Sequence, residues 1–445
     1  MRTLLSYLTA AAIVAASLPI AAAPAAAATA AGSFDLLTYN IAGLPEGLSS
    51  AGTPRLSSTT AIGQRLSAYE IVNVQEDFNY HAALYAADTH PYRTPTSGGA
   101  GIGSGLNTLS SYPYDTDDFE RGHWTSCQLD SGDCLTPKGF TFLRTQVADG
   151  VYVDVYNLHT NAGTSAGDQE SRASNLSQLT AFIGTHSVGN AVVVMGDTNT
   201  RYTRELDTIR AFAANNGLTD AWLQLERGGS APAAGSEALV CPTEGTVTDA
   251  CEVVDKVLYR SSRSVTLAAT DYHNERAAFL TADGLRLSDH DPVSVRLAWT
   301  ANPAYYLGAQ FGGPHGDHFN DIGSVPADAR TTVVELRAGS RVDQIGLTLA
   351  GGTTLRHGGT GGTARSLTLG TGEYVASTTL CRGEYGGHTR IFSARLTTNL
   401  GASVAGGTTT SDCVTWTTPA GRQLTGFHGR AGDEVDKLGP IYTNR

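Results

Sequence analysis

Hydrophobic runs that end in polar residues recur through the first 300 residues of this chain. In the clearest, residues 190–200 (NAVVVMGDTNT), the apolar residues 192–195 have the length and β-branched content of a strand buried on both faces. Asp197 and Asn199 follow. While the chain stays extended they point to the same side, where a carboxylate and an amide can bind an oxyanion or a hydrated cation. A plain turn explains Gly-Asp-Thr-Asn equally well.

The same pattern predicts alternating strands and helices over the first 300 residues. Strands are predicted at 34–41, 71–74, 106–109, 140–145, 151–158, 253–259 and 293–299, and helices at 57–69, 168–183 and 204–217. Polar residues end at least five strands: Asn40, Glu76, His159, Asp197 with Asn199, and Asp289 with His290. A single histidine at a strand end is more often structural, but five polar strand ends in one domain indicate a shared site.

The residue types at these strand ends suit metal-assisted hydrolysis of a phosphodiester. Glu76, Asp289 and Asn40 offer the hard oxygen ligands that hold Mg²⁺, Mn²⁺ or Ca²⁺, and Glu76 is the predicted main ligand. His290 is the predicted general base. Asp255 is its predicted orienting partner, because the adjacent Asp289 would face the opposite way in a strand.

The remaining polar residues at the strand ends are predicted to interact with the phosphate of the substrate. His159, Asp197 and Asn199 are predicted to stabilise the pentacovalent phosphate. A serine hydrolase is disfavoured, because Gly-x-Ser-x-Gly occurs only at residues 101–105, before a strand pattern instead of the helix that a nucleophile elbow needs. The glycine-rich stretch 98–105 lacks the Gly-Lys-Ser/Thr of a phosphate-binding loop and is more simply a connection.

Composition at the start of the chain predicts export. Residues 1–30 hold one charged residue, Arg2, then a long apolar run and the small-x-small pattern Ala28-Thr29-Ala30. This is typical of a secretory signal, and no transmembrane segment is expected, because no second apolar run of about 18 residues follows. The formal charge of −12 disfavours nonspecific attraction to DNA or anionic lipid.

Six cysteines in a secreted, extracellular chain should be oxidised. Their spacing predicts three local disulfides, Cys127 with Cys134, Cys241 with Cys251, and Cys381 with Cys413. Glycine marks a boundary, since 26 of the 51 glycines lie from residue 301 onward. We expect two domains, at residues 33–299 and 304–445. The second holds short Thr/Val/Leu-rich strands between glycine pairs, which is an all-β pattern.

Six motifs in residues 33–299 occur in a recognisable order. They are Thr38-Tyr39-Asn40-Ile41, Val74-Gln75-Glu76, Asn157-Leu158-His159, Gly196-Asp197-Thr198-Asn199, Asp255-Lys256-Val257-Leu258 and Ser288-Asp289-His290-Asp291-Pro292. This series resembles the endonuclease/exonuclease/phosphatase superfamily, which includes deoxyribonuclease I and the secreted bacterial neutral sphingomyelinases. The resemblance implies a four-layer α/β sandwich with two central β-sheets and a divalent-metal site at their rim.

The motifs leave the substrate of the expected enzyme open. Asn157-Leu158-His159 resembles the branch that deoxyribonucleases and sphingomyelinases share. We favour a sphingomyelinase-type phospholipase C because the chain is exported, acidic and joined to a second domain. The alternatives are a secreted deoxyribonuclease I-like endonuclease and a lectin with an inactive hydrolase domain. Residues 271–287 lie where bacterial sphingomyelinases carry a membrane-touching hairpin, but the paired exposed aromatics are absent, which leaves peripheral membrane contact open.

The second domain resembles a jacalin-related lectin, a β-prism of three Greek-key sheets. The resemblance is carried by residues 312–316, 358–362, 372–374 and 429–436. It implies a sugar site formed by Gly313 and by Gly432, Asp433, Glu434 and Asp436, in which a carboxylate and backbone N–H groups bind adjacent hydroxyls. Residues 339–343 repeat the Gly-x-x-x-Asp spacing, so Asp343 forms either a second sugar site or an ordinary turn.

Overall fold

The computed structural model describes residues 30–129 and 132–445, so the expected signal at 1–30 lies outside the described residues apart from Ala30. The strands of the N-terminal domain are β1 (Ala31–Asn40), β2 (Ile71–Gln75), β3 (Tyr92–Arg93), β4 (Asn107–Ser110), β5 (Glu120–His123), β6 (Gly139–Ala148), β7 (Val151–His159), β8 (Ala191–Asp197), β9 (Thr219–Asp220), β10 (Asp255–Arg260), β11 (Val265–Asn274) and β12 (Val293–Ala301). Its helices are α1 (Arg55–Leu66), α2 (His81–Ala87), α3 (Ala166–His186), α4 (Ile209–Asn216) and α5 (Ala221–Glu226).

Two six-stranded sheets form the centre of this domain, in the orders β11-β12-β1-β2-β4-β3 and β5-β6-β7-β8-β10-β9. Their facing sides share one apolar core that includes Leu36 from β1 and Val193 from β8. The outer face of the first sheet packs against α1, where Ile62 and Leu66 contact the buried residues of β1 and β2. Leu176 and Leu179 of α3 cover the second sheet. The predicted four-layer α/β sandwich is therefore confirmed.

Most predicted elements form close to their expected bounds, but the helix predicted at 204–217 begins only at Ile209. The preceding turn is held by the buried Asp207, which accepts hydrogen bonds from Arg172 Nε and from the backbone N–H of Arg201, both at 2.8 Å. This ion pair fixes a non-helical backbone that periodicity alone does not reveal. The pattern also missed β11, whose alternating exposed and buried residues include five polar ones.

All three predicted disulfides are present, with Cα atoms 5.4 Å apart for Cys127 and Cys134, 5.0 Å for Cys241 and Cys251, and 4.0 Å for Cys381 and Cys413. The last pair joins directly opposed residues of two antiparallel strands. None of the helices in the described part of the chain combines the length and apolar composition of a membrane span.

The C-terminal domain is an all-β prism of three sheets. Its strands are β13 (Tyr305–Leu307), β14 (Phe311–Gly312), β15 (Asp317–Asn320), β16 (Thr331–Ala338), β17 (Val342–Leu349), β18 (Thr354–Gly358), β19 (Thr363–Thr368), β20 (Val375–Tyr385), β21 (His388–Thr398), β22 (Ser403–Gly407), β23 (Asp412–Thr417), β24 (Arg422–Ala431) and β25 (Val435–Asn444). The sheets have the orders β13-β25-β24-β15 with β14 beside β25, β18-β17-β16-β19, and β22-β21-β20-β23. Apolar residues from all three sheets, such as Ile345, Leu380 and Phe427, meet in one core.

The two domains contact each other through buried polar groups. Lys437 of β25 is almost fully buried, and its Nζ lies 3.0 Å from Asp118 Oδ2 in the N-terminal domain. Arg430 Nη1 donates to the other oxygen of Asp118 at 3.1 Å. Asn320 Nδ2 donates to Asn190 Oδ1 at 2.7 Å. The buried charges at the domain boundary are therefore paired across it.

Buried His428 in β24 makes the stability of the fold sensitive to acid. Its Nε2–H donates to Gly308 O and its Nδ1 accepts from Gln310 Nε2, both at 2.9 Å, so the neutral ring is fully satisfied. Burial lowers the pKa of His428 from 6.5 to about 4. Since the unfolded chain then binds the proton first, stability should be complete above pH 6.5 and fall by about 3 kcal/mol as the pH drops through 4. Urea unfolding at a series of pH values measures this loss, and His428→Gln should flatten it. An equally steep loss in the variant would assign the effect to other groups.

Candidate active site

Three predicted site residues lie side by side at one edge of the second sheet. Parallel pairing of β7 with β8 aligns His159 with Asp197, and antiparallel pairing of β10 with β8 aligns Asp255 with Asp197. All three side chains are buried. The strand register therefore places one histidine and two carboxylates side by side. We call His159, Asp197 and Asp255 the row.

Asn40, at the end of β1, joins this row to the first sheet. Its Nδ2 donates to Asp197 Oδ2 at 3.1 Å and to Glu76 Oε1 at 3.2 Å. Glu76 directly follows β2 and is partly exposed, with a φ of 57° that turns the chain away from the strand. The ends of both sheets consequently meet at a single polar site, as predicted.

His290 approaches from the loop before β12. Its Nδ1 lies 2.8 Å from Asp255 Oδ2, and its Nε2 lies 3.7 Å from Asp197 Oδ2. The hydroxyl of Ser288 fixes the loop by donating to Asn40 O at 2.6 Å, and it accepts from the backbone N–H of His290 at 3.3 Å. The predicted pairing of His290 with Asp255 is thus realised, with Nε2 facing the other site residues.

The expected alignment of Asp197 with Asn199 is wrong in its geometry. Strand β8 ends at Asp197, and Asn199 has a φ of 49°, so the two do not alternate along an extended chain. Asn199 instead donates its backbone N–H to Asp197 Oδ1 at 3.0 Å and its Nδ2 to Thr160 O at 3.3 Å. The segment therefore forms a turn, and this turn keeps Asn199 beside Asp197.

Opposite charges set the protonation of the row. Burial raises the pKa of Asp197, but attraction to His290 and His159 outweighs burial and holds that pKa well below its usual range. Burial raises the pKa of Asp255 to about 6, against the pull of His290. For His290, burial lowers the pKa, yet Asp255 and Asp197 together raise it well above 6.5. His159 Nε2 lies 3.2 Å from Asp197 Oδ2, so both histidines share one carboxylate.

The donor set near Glu76 suits a hydrated Mg²⁺, which is held by one or two carboxylates and keeps several waters. Glu76 is a partly exposed carboxylate beside buried polar groups. Asn40 directs its amide nitrogen to Glu76 and its Oδ1 to the backbone N–H of Ala42 at 3.1 Å, so in this arrangement Asn40 supports Glu76 and is not itself aimed at an ion. Within the described residues no hydrogen bond joins the exposed Asp289 to Glu76. Glu76 is therefore the best-placed ligand of the predicted three.

Lys138 is a site residue that the sequence patterns did not indicate. Its Nζ pairs with Asp133 and donates to Thr160 O at 3.3 Å, and its charge contributes to the lowered pKa of Asp197. Lys138 lies just before the start of β6 and not after the end of a strand. The pattern of polar residues at strand ends therefore could not indicate it.

Several motif residues form buried polar contacts around the site. Gln75 Nε2 donates to Asn157 Oδ1 at 2.8 Å, and Asn157 Nδ2 donates to Val74 O at 3.0 Å. Asp291 accepts from Arg276 Nε and Nη2, both at 2.7 Å. These buried contacts hold the strand ends in position. Ser104 is also buried and accepts from Arg121 at 2.6 Å, which agrees with a connecting role for residues 98–105.

A cleft of about 640 Å³ opens on the side of Asp289, the residue before His290, and His290 itself is not in its lining. Its walls include Thr53, Asn274, Leu285 and Asp289. Thr53 Oγ1 donates to Arg286 O at 3.0 Å, which joins the two sides of the cleft. The segment expected to form a hairpin, 271–287, contains the end of β11, a short 3₁₀ helix at Arg276–Phe279 and a small loop closed by a bridge between Leu280 and Arg286.

The predicted sugar loop, with Gly432, Asp433, Glu434 and Asp436, connects β24 to β25. Glu434 is already paired, because Arg341 Nε lies 2.9 Å from both of its oxygens and Arg390 contacts it as well. The backbone N–H of Gly313 donates to Asp436 O at 2.9 Å. Burial raises the pKa of the Asp436 carboxyl to about 6. Glu434 is thus bonded to two arginines, and the Asp436 carboxyl is the buried acidic group beside the loop.

Residues 339–343 repeat this construction. The backbone N–H of Gly359 donates to Asp343 O at 2.8 Å, which corresponds to the bond from Gly313 to Asp436. The Asp343 carboxylate, however, accepts from the backbone N–H of Gly339 at 2.8 Å. Both loops therefore share the same backbone hydrogen bond. The Asp343 carboxylate already accepts a hydrogen bond from within its own turn.

Comparisons with known proteins agree with this geometry. A family model described as Endonuclease/Exonuclease/phosphatase family 2 matches residues 54–296, and one described as Jacalin-like lectin domain matches residues 308–441. Sphingomyelinases of Mycobacterium tuberculosis (strain ATCC 25618 / H37Rv) and Mycobacterium bovis (strain ATCC BAA-935 / AF2122/97) are each 42% identical over 279 residues, which is 61% of this chain and 54% of those proteins. The chain spans about half the length of the curated relatives it matches.

Two solved structures are similar to parts of the chain. Sphingomyelinase C from Streptomyces griseocarneus has a TM-score of 0.39 at 19% identity, covering 61% of this chain and all (100%) of that chain. A Malaysian banana lectin has a TM-score of 0.29 at 29% identity, covering 31% of this chain and 98% of that chain. Both resemblances predicted from the motifs are confirmed by the family models. The chain belongs to the endonuclease/exonuclease/phosphatase family, and it carries a jacalin-like lectin domain at its C-terminal side.

Proposed function

We propose that this protein is a divalent-metal-dependent phosphodiesterase of the sphingomyelinase type, a phospholipase C that a lectin domain directs to glycans. The observation that carries the proposal is the continuous contact from Glu76 through Asn40 and Asp197 to His290 and Asp255. Its residue types match phosphodiester hydrolysis, and the 42% identical relatives are sphingomyelinases.

In the proposed reaction, His290 Nε2 removes a proton from the attacking water. Asp255 accepts from Nδ1–H, which fixes the ring and stabilises the imidazolium that forms. Burial of Asp255 strengthens this bond because the local dielectric is low. The water attacks phosphorus, the P–O bond to the lipid alcohol breaks, and the departing alkoxide takes a proton from solvent, to which His290 then returns the proton that it accepted.

Asp197 takes a different role from the one the strand-end pattern predicts. A buried carboxylate with a lowered pKa remains ionised and repels a phosphate, so it cannot stabilise the pentacovalent state directly. We assign it to orient the attacking water and to hold His159 as a proton donor, with Nε2 at 3.2 Å. His159 and Asn199 then donate to the phosphate, and Lys138 adds positive charge.

Glu76 would hold the metal ion, with Mg²⁺ the preferred choice over Mn²⁺ or Ca²⁺ for a site of few protein ligands. When bound, such an ion supplies positive charge that stabilises a phosphate oxygen. Asn40 keeps Glu76 oriented through the 3.2 Å hydrogen bond and stays buried itself.

The cleft lined by Asp289 supports a lipid substrate. It has polar and apolar walls, and Leu285 at its rim is 55% exposed. Leu48, close in sequence to the lining residue Ser50, is 71% exposed. An exposed leucine in the lining of a cleft suits contact with a membrane surface, from which the headgroup of a sphingolipid would enter. We include such peripheral contact in the proposal.

Two substrates offered in parallel test the activity. Sphingomyelin in mixed vesicles and supercoiled plasmid DNA are incubated with the protein at equal Mg²⁺ concentration, and phosphocholine release and nicking are measured. We expect hydrolysis of sphingomyelin only. Cleavage of DNA alone would replace the lipid by a nucleic acid, and cleavage of neither would favour the inactive alternative.

The C-terminal domain is proposed to bind carbohydrate through the loop at Gly432–Asp436, with Gly313 facing it. Asp436→Ala should lower glycan affinity at least about 10-fold, since a buried carboxylate that accepts from sugar hydroxyls contributes a charge-assisted hydrogen bond. Glycan arrays probed with the wild type and the variant measure the loss. Asp343→Ala is the matched control in the second loop, because the Asp343 carboxylate already accepts a hydrogen bond from the backbone N–H of Gly339. Identical signals from Asp436→Ala and the wild type would remove the loop from the binding site.

We also propose that the protein acts outside the cell. Its three disulfides are of the kind that persist in oxidising compartments, and the apolar N-terminal stretch is typical of an export signal.

A further inference from the structure

Three potential metal ligands that neither the proposed reaction nor the sugar loop uses meet where the two domains touch. Glu120 lies in β5 and His186 ends α3, both in the N-terminal domain, while His318 lies in β15 of the C-terminal domain. One ligand atom from each lies within 4.8 Å of the other two. We call these residues the interdomain triad.

The spacing of the triad suits a small divalent ion. His186 Nε2 lies 3.4 Å from Glu120 Oε2, and His318 Nε2 lies 3.7 Å from Glu120 Oε1. Ligand atoms of a tetrahedral Zn²⁺ site lie about 3.3 Å apart, given bonds of about 2.0 Å. Only a small contraction would bring all three to bonding distance.

Among the described residues, the unpaired, buried ring of His318 is a second, independent observation that supports a metal site. Its side chain is 4% exposed, yet neither ring nitrogen has a hydrogen-bond partner in the described part of the chain. Leaving such a buried polar group unpaired is unfavourable. A bound cation would satisfy it.

His186 is oriented as metal-binding histidines are. Its Nδ1 lies 3.0 Å from Phe182 O and 2.8 Å from Thr185 Oγ1, and its Nε2 faces the Glu120 carboxylate. With the proton on Nδ1, the Nε2 lone pair is free to bind an ion. A backbone carbonyl on the far ring nitrogen is the usual support of a ligating histidine. The ring also stacks on Phe182 at 3.5 Å, which holds its plane.

The charges around the triad leave one carboxylate oxygen for an ion. Arg430 Nη1 lies 3.4 Å from Glu120 Oε1 but is closer to Asp118 Oδ1, at 3.1 Å. Glu120 Oε2 faces only His186 among its described partners. Glu120 is 33% exposed, which provides an entry path from solvent. Two imidazoles and one carboxylate favour Zn²⁺ over the oxygen-preferring Mg²⁺.

We infer that Glu120, His186 and His318 bind a Zn²⁺-type divalent transition-metal ion that links the two domains. The site is independent of the proposed hydrolysis, because none of the three residues contributes to the row around Asp197. Since two ligands come from one domain and one from the other, ion binding stabilises the docked arrangement over any separated one.

The test uses the full chain, stripped with EDTA and returned to buffer with excess Mg²⁺, which occupies oxygen-ligand sites. Zn²⁺ is then titrated against a chromophoric chelator, and Co²⁺ absorption reports the coordination geometry. We expect about one tight equivalent, a four- or five-coordinate Co²⁺ spectrum and a higher Tm with Zn²⁺. His318→Gln and His186→Gln should each weaken Zn²⁺ binding at least about 100-fold.

Two controls separate the triad from its surroundings. Asn320→Ala removes a neighbouring interdomain hydrogen bond and should keep Zn²⁺ binding. Glu76→Gln alters the proposed catalytic site and should keep it as well. Should His318→Gln fail to fold, His186→Gln in the other domain still decides. Absence of a bound equivalent in the wild type, or unchanged affinity in His186→Gln, would overturn the inference and leave an ion pair between His186 and Glu120.

Discussion

Replacement of His290 by alanine is expected to lower kcat for phosphodiester hydrolysis by about 10²–10⁴-fold, the usual contribution of a general base. The ring has the geometry that this role needs, with Nδ1 held by Asp255 at 2.8 Å and Nε2 directed into the site. Steady-state hydrolysis of a phosphodiester by both proteins at saturating Mg²⁺ measures the effect. Because Asp255 and Asp197 raise the pKa of His290, wild-type kcat/KM should rise with pH as the ring loses its proton, and the variant should lack that rise.

His273→Ala is the matched control for this substitution. His273 pairs with Asp249 and Asp271 at 3.1 Å, as His290 pairs with two carboxylates, but it is 52% exposed and lies in β11 away from the row. Its replacement should leave kcat within a few-fold of the wild type. A similar result for His290→Ala would remove the base assignment, whatever the overall activity.

Several residues of the candidate site could be predicted from the sequence because they lie at the ends of strands. Apolar runs such as residues 191–195 identify buried strands, and a polar residue directly after such a run must lie at the rim of a sheet. Asp197 and His159 follow apolar runs in this way, Asp255 begins its strand, and the strand register places all three in one row. Alternation of side chains disfavoured Asp289 as the partner of His290, and the fold forms the 2.8 Å contact with Asp255.

Contacts that depend on tertiary packing could not be read from the same patterns. Asn199 adopts a left-handed backbone, which local alternation does not reveal. Lys138 reaches the site from outside the strand ends, and Lys437 is buried only because a second domain supplies Asp118. His318 likewise lies in an ordinary alternating strand, and only docking brings it beside Glu120. For Lys437 and His318 the partner is remote in sequence.

Glu76→Gln is expected to raise the Mg²⁺ concentration for half-maximal activity at least about 10–100-fold, because supporting residues alone contribute that much to metal affinity and Glu76 is the proposed ligand itself. The substitution keeps the size of the side chain and removes its charge, so the hydrogen bond from Asn40 Nδ2 at 3.2 Å would weaken as well. Titration of EDTA-treated protein with Mg²⁺, followed by phosphodiester hydrolysis, gives the midpoint. EDTA alone should abolish activity, and Mg²⁺ should restore it.

Asp289→Asn tests the other predicted carboxylate ligand in the same titration. Asp289 is exposed, and its Oδ1 accepts only a 3.3 Å hydrogen bond from Ser288 among the contacts described. A ligand role for Glu76 alone predicts a large shift in the Mg²⁺ midpoint for Glu76→Gln and a small one for Asp289→Asn. The reverse order would move the ion from the rim of the first sheet to the loop beside His290. Equal midpoints in both variants and the wild type would contradict a metal site here, because neither carboxylate would then sense the ion.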